Sequence, residues 1–422
     1  MVKNEYKQTE IGIVPIEWSV SDFGSKVKIY RGGSPRPIQD YLTQAQDGIN
    51  WIKIGDVREG EKYITSTEEK IIPAGVSRSR TVHAGDFILS NSMSFGRPYI
   101  LNIDGCIHDG WLTIQEYEKT FSKNFLYYLL SSDSVYQQYI SMAAGSSVKN
   151  LNKEKVSALV VACPDIEEQE RIADVLSNID SLIAALEKQI PKKKAIKQGA
   201  MQELLTGKRR LPGFSGKWRT EIIPEVLQKQ EGIKIGPFGS QLKKEYLLDD
   251  GPYRVYGQEN VYAQDFSIGN RYLNRERFRQ LQSCEVRPGD FLISTMGTIG
   301  KCAIVPNGIH SGIMDSHLIR LRINEQKLMP EYLLHLFSEE LGYLKGQTSK
   351  LSVGGIMDGL STKIVNALNV LYPEDLSEQK AIAEFLSTMN AEIQTLEQKL
   401  EKYRQVKQGM MQQLLTGKIR LV

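Results

Sequence analysis

The chain of 422 residues contains no apolar run near the ~20 residues that a membrane-spanning helix requires, so we expect no membrane anchor. Residues 1–6 lack the apolar stretch of a secretory signal. Cysteine is scarce, and Cys106, Cys163, Cys284 and Cys302 form no CxxC pair. We therefore expect reduced thiols in a cytoplasmic protein, rather than a disulfide framework or a zinc site.

Catalytic motifs are also missing from the sequence. None of the five histidines belongs to an HxxxH or HExxH pair, which are common zinc-enzyme patterns. There is no Asn-Pro-Pro-Tyr or Asp-Pro-Pro-Tyr segment, and residues 297–302 lack the spacing and the hydroxyl of a phosphate-binding loop. Glu378-Gln379-Lys380 matches half of a nuclease E-x-K pattern, but the related Glu168-Gln169-Glu170 lacks the lysine. We expect a chain without catalytic residues, metal or cofactor.

The chain does contain a long internal repeat. Residues 168–211 and 378–421 align at a constant offset of 210 without a gap, and 22 of the 44 positions are identical. Fainter matches extend into the preceding segments, where Gly85-Asp86-Phe87 returns as Gly289-Asp290-Phe291. The pattern predicts two related globular heads, each followed by a long helix, with a pseudo-two-fold relation between the halves.

Both repeated segments carry an apolar seam at alternating spacings of four and three residues. Such a narrow stripe is typical of a coiled coil rather than of a helix packed on a globular core. Because a large head separates the two helices in the chain, we predict that they pair antiparallel; two helices that each dock on their own head are the alternative. The predicted pairing positions are Ile172, Leu176, Ile179, Ile183, Leu186, Ile190, Ile382, Leu386, Met389, Ile393, Leu396 and Leu400.

The beginnings of both helices carry capping signals. Asp165 and Asp375 are suited to accept hydrogen bonds from the first free backbone N–H groups of a helix. Each is followed three residues later by a glutamate, Glu168 or Glu378, which is the spacing of a capping box. The sequence therefore predicts that both glutamates fold back onto the start of their own helix.

Glycines mark the ends of both helices and one interior position of each. Gly207 and Gly417 follow Leu-Leu-Thr and predict the point where each helix stops. Gly199 and Gly409 lie inside the helices, where glycine costs ~1 kcal/mol relative to alanine. Since both copies carry this glycine, we expect another backbone to approach closely there.

The segment 188–210 is strongly basic, with a single acid, Glu203. Complementarity to the negative end of the helix dipole explains much of this pattern. A docking surface for a partner or for phosphates is the alternative. The cations are Lys188, Lys192, Lys193, Lys194, Lys197, Lys208, Arg209 and Arg210.

The two heads have the pattern of an α+β fold. Short apolar runs with strand character alternate with glycine and proline turns, and short helical stretches follow. The predicted strands include residues 51–54, 86–90, 290–294 and 318–321, and the predicted helices include residues 121–130 and 331–337.

Polar, glycine-rich loops interrupt these strands. Arg, Lys, Asn, Gln and Ser on such loops are the groups that read base edges and hold phosphates, so the loops predict binding of double-stranded DNA by both heads. The candidates in the first head are Arg31, Ser34, Arg36, Arg78, Arg80, Asn91, Ser92 and Arg97. The candidates in the second head are Lys234, Ser240, Gln241, Lys243, Lys244, Gln258, Asn260, Arg275, Arg277, Thr295 and Lys301.

These segments resemble those of a known family. The helix motifs PxxxEQxxIAxxLS and KQGxMQxLLTGKxRL, together with the head segments 31–35, 236–242 and 289–300, are similar to the specificity subunit of type I restriction-modification systems. The resemblance covers essentially the whole chain. The first head departs from the pattern, because residues 92–96 read Ser-Met-Ser-Phe-Gly where the second head has Gly-Thr-x-Gly.

The resemblance implies a target-recognition domain at 1–163, a conserved helix at 164–210, a second target-recognition domain at 211–372 and a C-terminal conserved helix at 373–422. Each recognition domain would read one half of an interrupted, asymmetric DNA target. The helices would set the spacing and bind two methyltransferase subunits, and two motor-endonuclease subunits would join the full complex. The residues alone leave two other classes open: a non-catalytic scaffold whose heads bind proteins, and a nuclease or methyltransferase with an unfamiliar site.

Overall fold

The computed structural model describes residues 5–57, 60–91, 96–143, 151–351 and 359–422. The chain divides into two compact units. Unit 1 comprises Met1–Glu187 and Gln398–Val422, and unit 2 comprises Lys188–Glu397. We call the part of unit 1 that precedes residue 164 head 1, and the part of unit 2 between residues 211 and 373 head 2. No helix among the described residues is long and apolar enough to cross a membrane.

Head 1 is α+β, as the sequence predicts. Its described strands are β1 (Tyr6–Thr9), β2 (Gly12–Pro15), β3 (Ser19–Asp22), β4 (Lys28–Arg31), β5 (Leu42–Thr43), β6 (Ile49–Ile52), β7 (Tyr63–Ile64), β8 (Glu69–Ile71), β9 (Arg80–Val82), β10 (Phe87–Ser90), β11 (Pro98–Leu101), β12 (Gly105–Ile107), β13 (Trp111–Gln115) and β14 (Val160–Cys163). Its described helices are α1 (Pro73–Val76), α2 (Lys123–Leu130), α3 (Asp133–Ala143) and α4 (Lys153–Ser157). The long helix α5 (Ile166–Leu204) follows.

Head 2 repeats this arrangement with fewer strands in each main sheet. Its described strands are β15 (Trp218–Ile222), β16 (Ile233–Ile235), β17 (Tyr253–Tyr256), β18 (Tyr272–Leu273), β19 (Glu285–Val286), β20 (Phe291–Ser294), β21 (Cys302–Ile304), β22 (Gly312–Met314), β23 (Leu318–Leu321) and β24 (Asn369–Pro373). Its described helices are α6 (Gln258–Ala263), α7 (Arg275–Gln280), α8 (Pro330–Leu336), α9 (Tyr343–Leu351) and α10 (Thr362–Asn366). The second long helix, α11 (Leu376–Leu414), follows.

Two sheets stack in each head. In head 1 their strand orders are β4-β13-β10-β11-β7 and β5-β8-β6-β12-β9. In head 2 they are β16-β23-β20-β21 and β18-β17-β22-β19. Successive side chains of a strand point to opposite faces. Accordingly, Phe87 and Leu89 of β10 join the core that includes α2 and α5, whereas Ile88 joins the core that includes the second sheet. This central strand is therefore buried on both faces.

The two long helices span 39 residues each and pack together as an antiparallel pair. In unit 1, Asp180 pairs with Lys407 at 2.6 Å, and in unit 2, Lys193 pairs with Glu392 at 2.6 Å. The partner's number therefore falls along α11 as the residue number rises along α5. Pro191 lies inside α5, and the helix continues through it.

The pseudo-two-fold relation is visible in the ion pairs themselves. The Arg404–Glu187 pair of unit 1 returns in unit 2 as Lys194–Glu397, with both members displaced by the repeat offset. Since 194 plus 210 is 404 and 187 plus 210 is 397, each helix contributes the cation in one pair and the acid in the other. The predicted internal symmetry is thus confirmed at the level of single side chains.

The predicted seam is buried along both helices, but its beginning in each helix also belongs to a head. Ile172 and Leu176 lie fully buried in the core of unit 1, and Ile382 and Leu386 lie in that of unit 2. Docking on a head and helix pairing therefore both occur. Further along, Ile179, Leu186, Ile190 and Ile393 are buried, while Ile183, Met389, Leu396 and Leu400 are half-buried.

The capping-box prediction is wrong for both glutamates. Asp165 does accept a hydrogen bond from the Glu168 backbone N–H at 2.8 Å. The side chains of Glu168 and Glu378, however, are fully buried and bind arginines far along the chain, Arg420 and Arg210 respectively. A buried carboxylate needs a charged partner more than an exposed helix end needs a cap, so the long-range contact prevails.

The glycine predictions divide. Gly207 and Gly417 adopt left-handed φ values of +70° and +69° directly after the helices, so both predicted ends are confirmed. At Gly199 and Gly409, an added Cβ would meet no described atom of this chain within 4 Å. The expected close approach of another backbone is therefore wrong within this chain, and both positions face open space.

The basic segment is largely neutralised by acids of its own unit. Lys193, Lys194, Lys197, Arg209 and Arg210 all form ion pairs with glutamates of unit 2. Four of them serve helix pairing or attachment of the head, whereas Arg209 pairs with Glu203 inside its own segment. A docking role stays a prediction only for the remaining cations of the segment.

Candidate nucleic-acid interface

The polar loops of head 1 meet at one edge of its first sheet, where β4 and β10 end and β13 begins. The Gly32 N–H donates to the Trp111 carbonyl at 2.8 Å, and the Asn91 N–H donates to the Gly110 carbonyl at 3.0 Å. The loop 32–37, Asn91 at the end of β10 and the loop 108–110 are thereby held side by side. The same edge of head 2 brings together residues 236–241, 295–301 and 315–317.

A glycine begins the first of these loops in each head because nothing larger fits. A Cβ at Gly32 would lie 2.1 Å from the His108 carbonyl oxygen, and one at Gly236 would lie 1.7 Å from that of Asp315. Real Cβ atoms do not approach a backbone oxygen so closely. The loops therefore leave their strands in the same way, although the residues that follow differ.

Asp109 is the centre of the cluster in head 1, and no sequence motif points to it. Its carboxylate accepts a hydrogen bond from the Ser34 hydroxyl at 3.0 Å and pairs with the Arg36 guanidinium at 3.2 Å. The Arg31 Nε donates to its backbone carbonyl at 3.4 Å. Burial by itself raises the pKa of the Asp109 carboxyl, but the Ser34 hydrogen bond and nearby positive groups outweigh it and hold that pKa below its usual value.

Two further cations of head 1 lie over aromatic rings. The Arg80 guanidinium is 4.9 Å from the centre of the Tyr30 ring, and the Arg78 guanidinium is 5.5 Å from that of Tyr41. Lys153, which the sequence did not single out, lies 5.9 Å from the Tyr30 ring. Tyr30 thus has two cations over it, an arrangement that keeps them ordered yet solvent-exposed.

Some candidates serve the framework instead. Asn91 and Thr295 are buried at equivalent places and accept backbone hydrogen bonds from Leu151 and Leu360 at 2.9 and 2.8 Å. Asn260 is also buried, and its amide binds the backbone at both ends. These three side chains are therefore not retained in the interface that we propose below. Ser92 lies outside the described residues.

In head 2, Tyr262 fastens the loop 295–301 to α6. Its hydroxyl lies 3.0 Å from both the Gln258 side-chain oxygen and the Met296 carbonyl, which are alternative acceptors of its one proton, and it accepts from the Thr298 N–H at 3.1 Å. Gln258 therefore lies beside the glycine-rich loop, as a shared site requires. At the loop's end, Lys301 pairs with Glu339 at 2.7 Å.

Arg271 forms a second centre in head 2, which the sequence did not single out as a candidate. It pairs with Glu259 at 2.6 Å and with Asp315 at 3.1 Å. Asp315 begins the loop that corresponds to 108–110 in head 1, so each head places one carboxylate at this edge. The cations that bind these carboxylates come from different loops. In head 1 they come from the loop after β4, whereas in head 2 Arg271 comes from the loop before β18.

The remaining candidates of head 2 lie around the loop after β16. The Arg277 guanidinium donates to the Gln241 carbonyl and lies 4.1 Å from the centre of the Tyr246 ring. Lys243 pairs with Glu245 at 3.7 Å, and both side chains are exposed. The other candidates that are exposed or partly exposed here are Lys234, Ser240, Lys244 and Arg275.

The loop after β10 closes in the same way as the loop after β20, although their sequences differ. The Ser90 hydroxyl accepts from the Arg97 N–H at 3.2 Å, and the Ser294 hydroxyl accepts from the Lys301 N–H at 3.0 Å. Arg97 and Lys301 thus occupy equivalent places in the two heads.

The profile of the family described as "Type I restriction modification DNA specificity domain" matches residues 15–194 and 236–404. The chain belongs to this family. Its two matched segments account for the internal repeat, since each includes one head and most of the following helix. Membership in the type I DNA specificity family does not favour the alternative of a scaffold whose heads bind proteins.

Relatives from the type I specificity family align along nearly the full chain. The MjaVIII specificity subunit of Methanocaldococcus jannaschii is 24% identical over 425 residues, covering 97% of this chain and 94% of the relative. The StySPI specificity subunit of Salmonella potsdam is 22% identical over 417 residues, covering 92% and 85%.

Two solved structures share the fold. The HsdS subunit from Thermoanaerobacter tengcongensis has a TM-score of 0.53 at 18% identity, covering 99% of this chain and 100% of the other. The S subunit from M. genitalium has a TM-score of 0.55 at 14% identity, covering 98% and 97%. At these identities the likeness shows a shared fold.

Proposed function

We propose that this chain is the non-catalytic DNA-recognition subunit of a type I restriction-modification complex. In this proposal the recognition domain 1–163 reads one half of a bipartite, asymmetric sequence in double-stranded DNA, and the recognition domain 211–372 reads the other half. The observation that carries the proposal is the match of one DNA-specificity family to both copies of the repeat. It is supported by the polar loops that gather at the same edge of each head.

The two helices, 164–210 and 373–422, set the number of unread base pairs between the half-sequences and dock two methyltransferase subunits. The repeated Lys-Gln-Gly segments support this, because Gly199 and Gly409 leave equivalent open surfaces that suit two copies of one partner. Motor-endonuclease subunits join when DNA is cut. The complex acts in the cytoplasm, the compartment that holds its DNA.

The proposed DNA contacts are the candidate side chains that are exposed or partly exposed, with two additions from the loop clusters. Cations among them hold phosphates, while amide and hydroxyl groups face base edges. Because the clusters differ between the heads, the two half-sequences differ as well. The retained residues are Arg31, Ser34, Arg36, Arg78, Arg80, Arg97, Lys234, Ser240, Gln241, Lys243, Lys244, Gln258, Arg275, Arg277 and Lys301, and the additions are Lys153 and Arg271.

The deciding experiment exchanges one head at a time. Residues 20–150 are replaced with the same region of another family member, and the methylated motif is read from the genomic DNA of cells that also carry the methyltransferase partner. We expect one half of the motif to change and the other to stay. Exchange of residues 225–355 is the matched control and should change only the other half. A motif that changes in both halves, or in neither, would contradict the assignment of one half to each head.

The absence of catalysis is tested separately. The purified chain is incubated with duplex DNA and the methyl donor S-adenosylmethionine, with and without the methyltransferase partner. We expect methyl transfer only when the partner is present. Transfer by the chain alone would show that it carries an enzyme site of its own.

The spacing role is tested by lengthening α5. An insertion of four residues after Gln189 adds about one turn and ~6 Å, whereas two residues rotate everything beyond them by about 200°. We expect the four-residue variant to keep its seam in phase and to lengthen the unread gap by one or two base pairs, at ~3.4 Å each. An unchanged gap in an active variant would mean that the helices do not set it.

A further inference from the structure

Phe238 is the most exposed aromatic side chain among the described residues, with 71% of its surface accessible. It follows Gly236 and Pro237 in the loop after β16 of head 2, and both of these are buried. Burial of a phenylalanine side chain is strongly favourable in water, so a bound molecule that covers this ring gains that free energy.

The loop that carries Phe238 is braced rather than loose. The Gln241 N–H donates to the Phe238 carbonyl at 2.8 Å, which closes a four-residue turn, and the Gln241 carbonyl accepts from Arg277. Arg277 in turn lies 4.1 Å from the centre of the Tyr246 ring. The turn is therefore fixed at its base by the buried Gly236 and at its far side by Arg277, and the ring is presented on a rigid support.

The charges that flank the ring identify the kind of partner. Lys234 precedes the loop on β16, Lys243 and Lys244 follow the turn, and Arg277 contacts it. One acid, Glu245, pairs with Lys243 at 3.7 Å. An apolar ring surrounded by cations suits a polyanion with a stacked aromatic interior, which describes duplex DNA.

At the equivalent position of the loop after β4, head 1 carries no aromatic ring. Arg31 lies opposite Leu112 in head 1 as Ile235 lies opposite Ile319 in head 2, so the strands put Ser34 at the place of Phe238. Ser34 turns inward and donates to Asp109 at 3.0 Å. The two loops leave equivalent glycines, but one closes on a carboxylate and the other projects an aromatic ring.

Resting on the proposed function, we propose that Phe238 is a wedge that inserts into the DNA half-site of head 2 and unstacks one base step there. Apolar wedges of this kind open the stack and kink the duplex, which makes recognition depend on how easily that step deforms. In head 1 the equivalent position, Ser34, supplies no such wedge. The two half-sites thus differ in mechanism as well as in sequence.

The test uses the complex of the full chain with its methyltransferase subunits. The probe is a duplex that carries the methylated motif, with 2-aminopurine replacing adenine in or beside each half in turn, because its fluorescence rises when it is unstacked. At positions away from the adenines that the methyltransferase subunits flip out, we expect the wild-type complex to raise fluorescence in the half assigned to head 2 and not in the other. Phe238→Ala should abolish that rise and weaken binding about tenfold, the equivalent of about 1.4 kcal/mol of stacking.

Two variants provide the controls. Phe238→Trp keeps a stacking ring and should retain the fluorescence rise and the affinity. Ile13→Ala removes an exposed apolar side chain, 61% accessible, from β2 of unit 1 and should leave both unchanged.

Each outcome has a distinct meaning. If the wild-type complex does not prefer the motif over other duplexes, the proposed function itself fails. If the wild type binds selectively but Phe238→Ala shows the same rise and affinity, the wedge is overturned. A loss of affinity without any fluorescence rise in the wild type also overturns it, because the ring would then touch something other than the base stack.

Discussion

The first sheets of head 1 and head 2 correspond residue by residue, yet they bury different groups. Ser90 lies opposite Trp111 in head 1, as Ser294 lies opposite Leu318 in head 2. Head 2 buries two arginines, Arg320 on β23 and Arg322 just past its end. The equivalent residues of head 1 are a threonine and a glutamine.

The same carboxylate position receives its hydrogen bond from a neutral side chain in one head and from a charged side chain in the other. Asp86 of head 1 receives a hydrogen bond from the neutral Gln115 amide at 2.6 Å. Asp290 of head 2 receives one from the Arg322 guanidinium at 3.0 Å. Strand register and the alternation of apolar side chains therefore fix this fold. The polar groups beside them can change as long as each carboxylate keeps a hydrogen-bond donor.

The attachment of each head to the long helices differs in a similar way. In unit 1, the Tyr128 hydroxyl donates to Asp180 at 2.7 Å, and Asp180 also pairs with Lys407. In unit 2, the equivalent residue of α8 is His335, whose Nε2 lies 2.9 Å from the Ser387 hydroxyl. We call the attachment of each head to the long helices its joint. The joint of unit 1 is held by charged groups, and the joint of unit 2 by the neutral, titratable imidazole of His335.

The largest effect that would sharpen this comparison is expected at the paired carboxylates. Asp290→Asn removes the carboxylate that the buried Arg320 and Arg322 share, while Glu231 still pairs with Arg322, and should lower the free energy of unfolding of unit 2 by about 3 kcal/mol. Asp86→Asn weakens hydrogen bonds from neutral donors alone, the Gln115 amide and the His83 N–H, and should cost about 1 kcal/mol in unit 1. Urea unfolding at pH 8, where Asp290 is ionised because burial raises its pKa only to about 6, measures both. Equal losses would contradict the difference drawn between the two interiors.

The next effect tests whether the beginning of the seam belongs to each head. Leu176→Ala and Leu386→Ala each open a cavity in a fully buried core and should cost about 3 kcal/mol. Hydrogen exchange followed by mass spectrometry should show the first variant loosening the peptides of unit 1 and the second those of unit 2. Ile183→Ala, at a half-buried seam position, is the control and should cost less. Equal loosening of both units by either variant would break the comparison.

The joint of unit 2 should respond to pH, and that of unit 1 should not. Burial, reinforced by the positive charge of Lys197, lowers the pKa of His335 below its usual 6.5; Glu340 acts in the opposite direction. The unfolded chain therefore takes up a proton at a pH where the folded unit does not. His335 contributes its full stability above about pH 6.5, and this contribution is lost as the pH falls toward the folded-state pKa.

The measurement compares wild type with His335→Gln, which keeps a polar side chain without a titratable ring. Between pH 7.5 and 5.5 the wild type should lose about 1 kcal/mol more stability in unit 2 than the variant does. Tyr128 does not titrate in this range, because burial raises its pKa well above the usual value. A pH dependence that is the same with and without the ring would rule out His335 as its source.

The smallest effect concerns the symmetric ion pairs between the helices. Lys194→Gln in unit 2 and Arg404→Gln in unit 1 remove equivalent exposed pairs with Glu397 and Glu187. Each variant should lower the free energy of unfolding of its unit, measured by thermal melting, by no more than about 0.5 kcal/mol. The difference from wild type should vanish in high salt. A larger loss at either position would show that the pair is stronger than its exposure suggests.

The sequence predicted the parts of this fold that depend on local or periodic signals. The apolar run 318–321 is strand β23, and the helix ends at Gly207 and Gly417 are where the glycines indicated. The antiparallel pairing followed from the seam and from the length of chain between the helices. Such features can be read from short windows because neighbouring residues determine them.

Long-range polar contacts could not be read in the same way. Glu168 has a capping-box position, yet Arg420 binds it from 252 residues away. Asp109 is one acid in an ordinary loop, and only the fold brings Ser34 and Arg36 to it. Asn260 is a residue type that often reads base edges, but it is buried and its amide binds the backbone instead. Each of these depends on which distant segments meet, and that information is absent from any local pattern.

The discontinuity of unit 1 has a consequence for how the protein is made. Unit 2 is one continuous stretch, Lys188–Glu397, and can fold while the chain is being synthesised. Unit 1 needs residues 398–422, whose Leu414 and Leu415 complete its core and whose Arg420 neutralises the buried Glu168. Head 1 is translated first but is finished last, with apolar surface and an unpaired carboxylate exposed in the interval. On the ribosome, the earlier half of this protein is therefore the one that depends on chaperones and is at risk of aggregation.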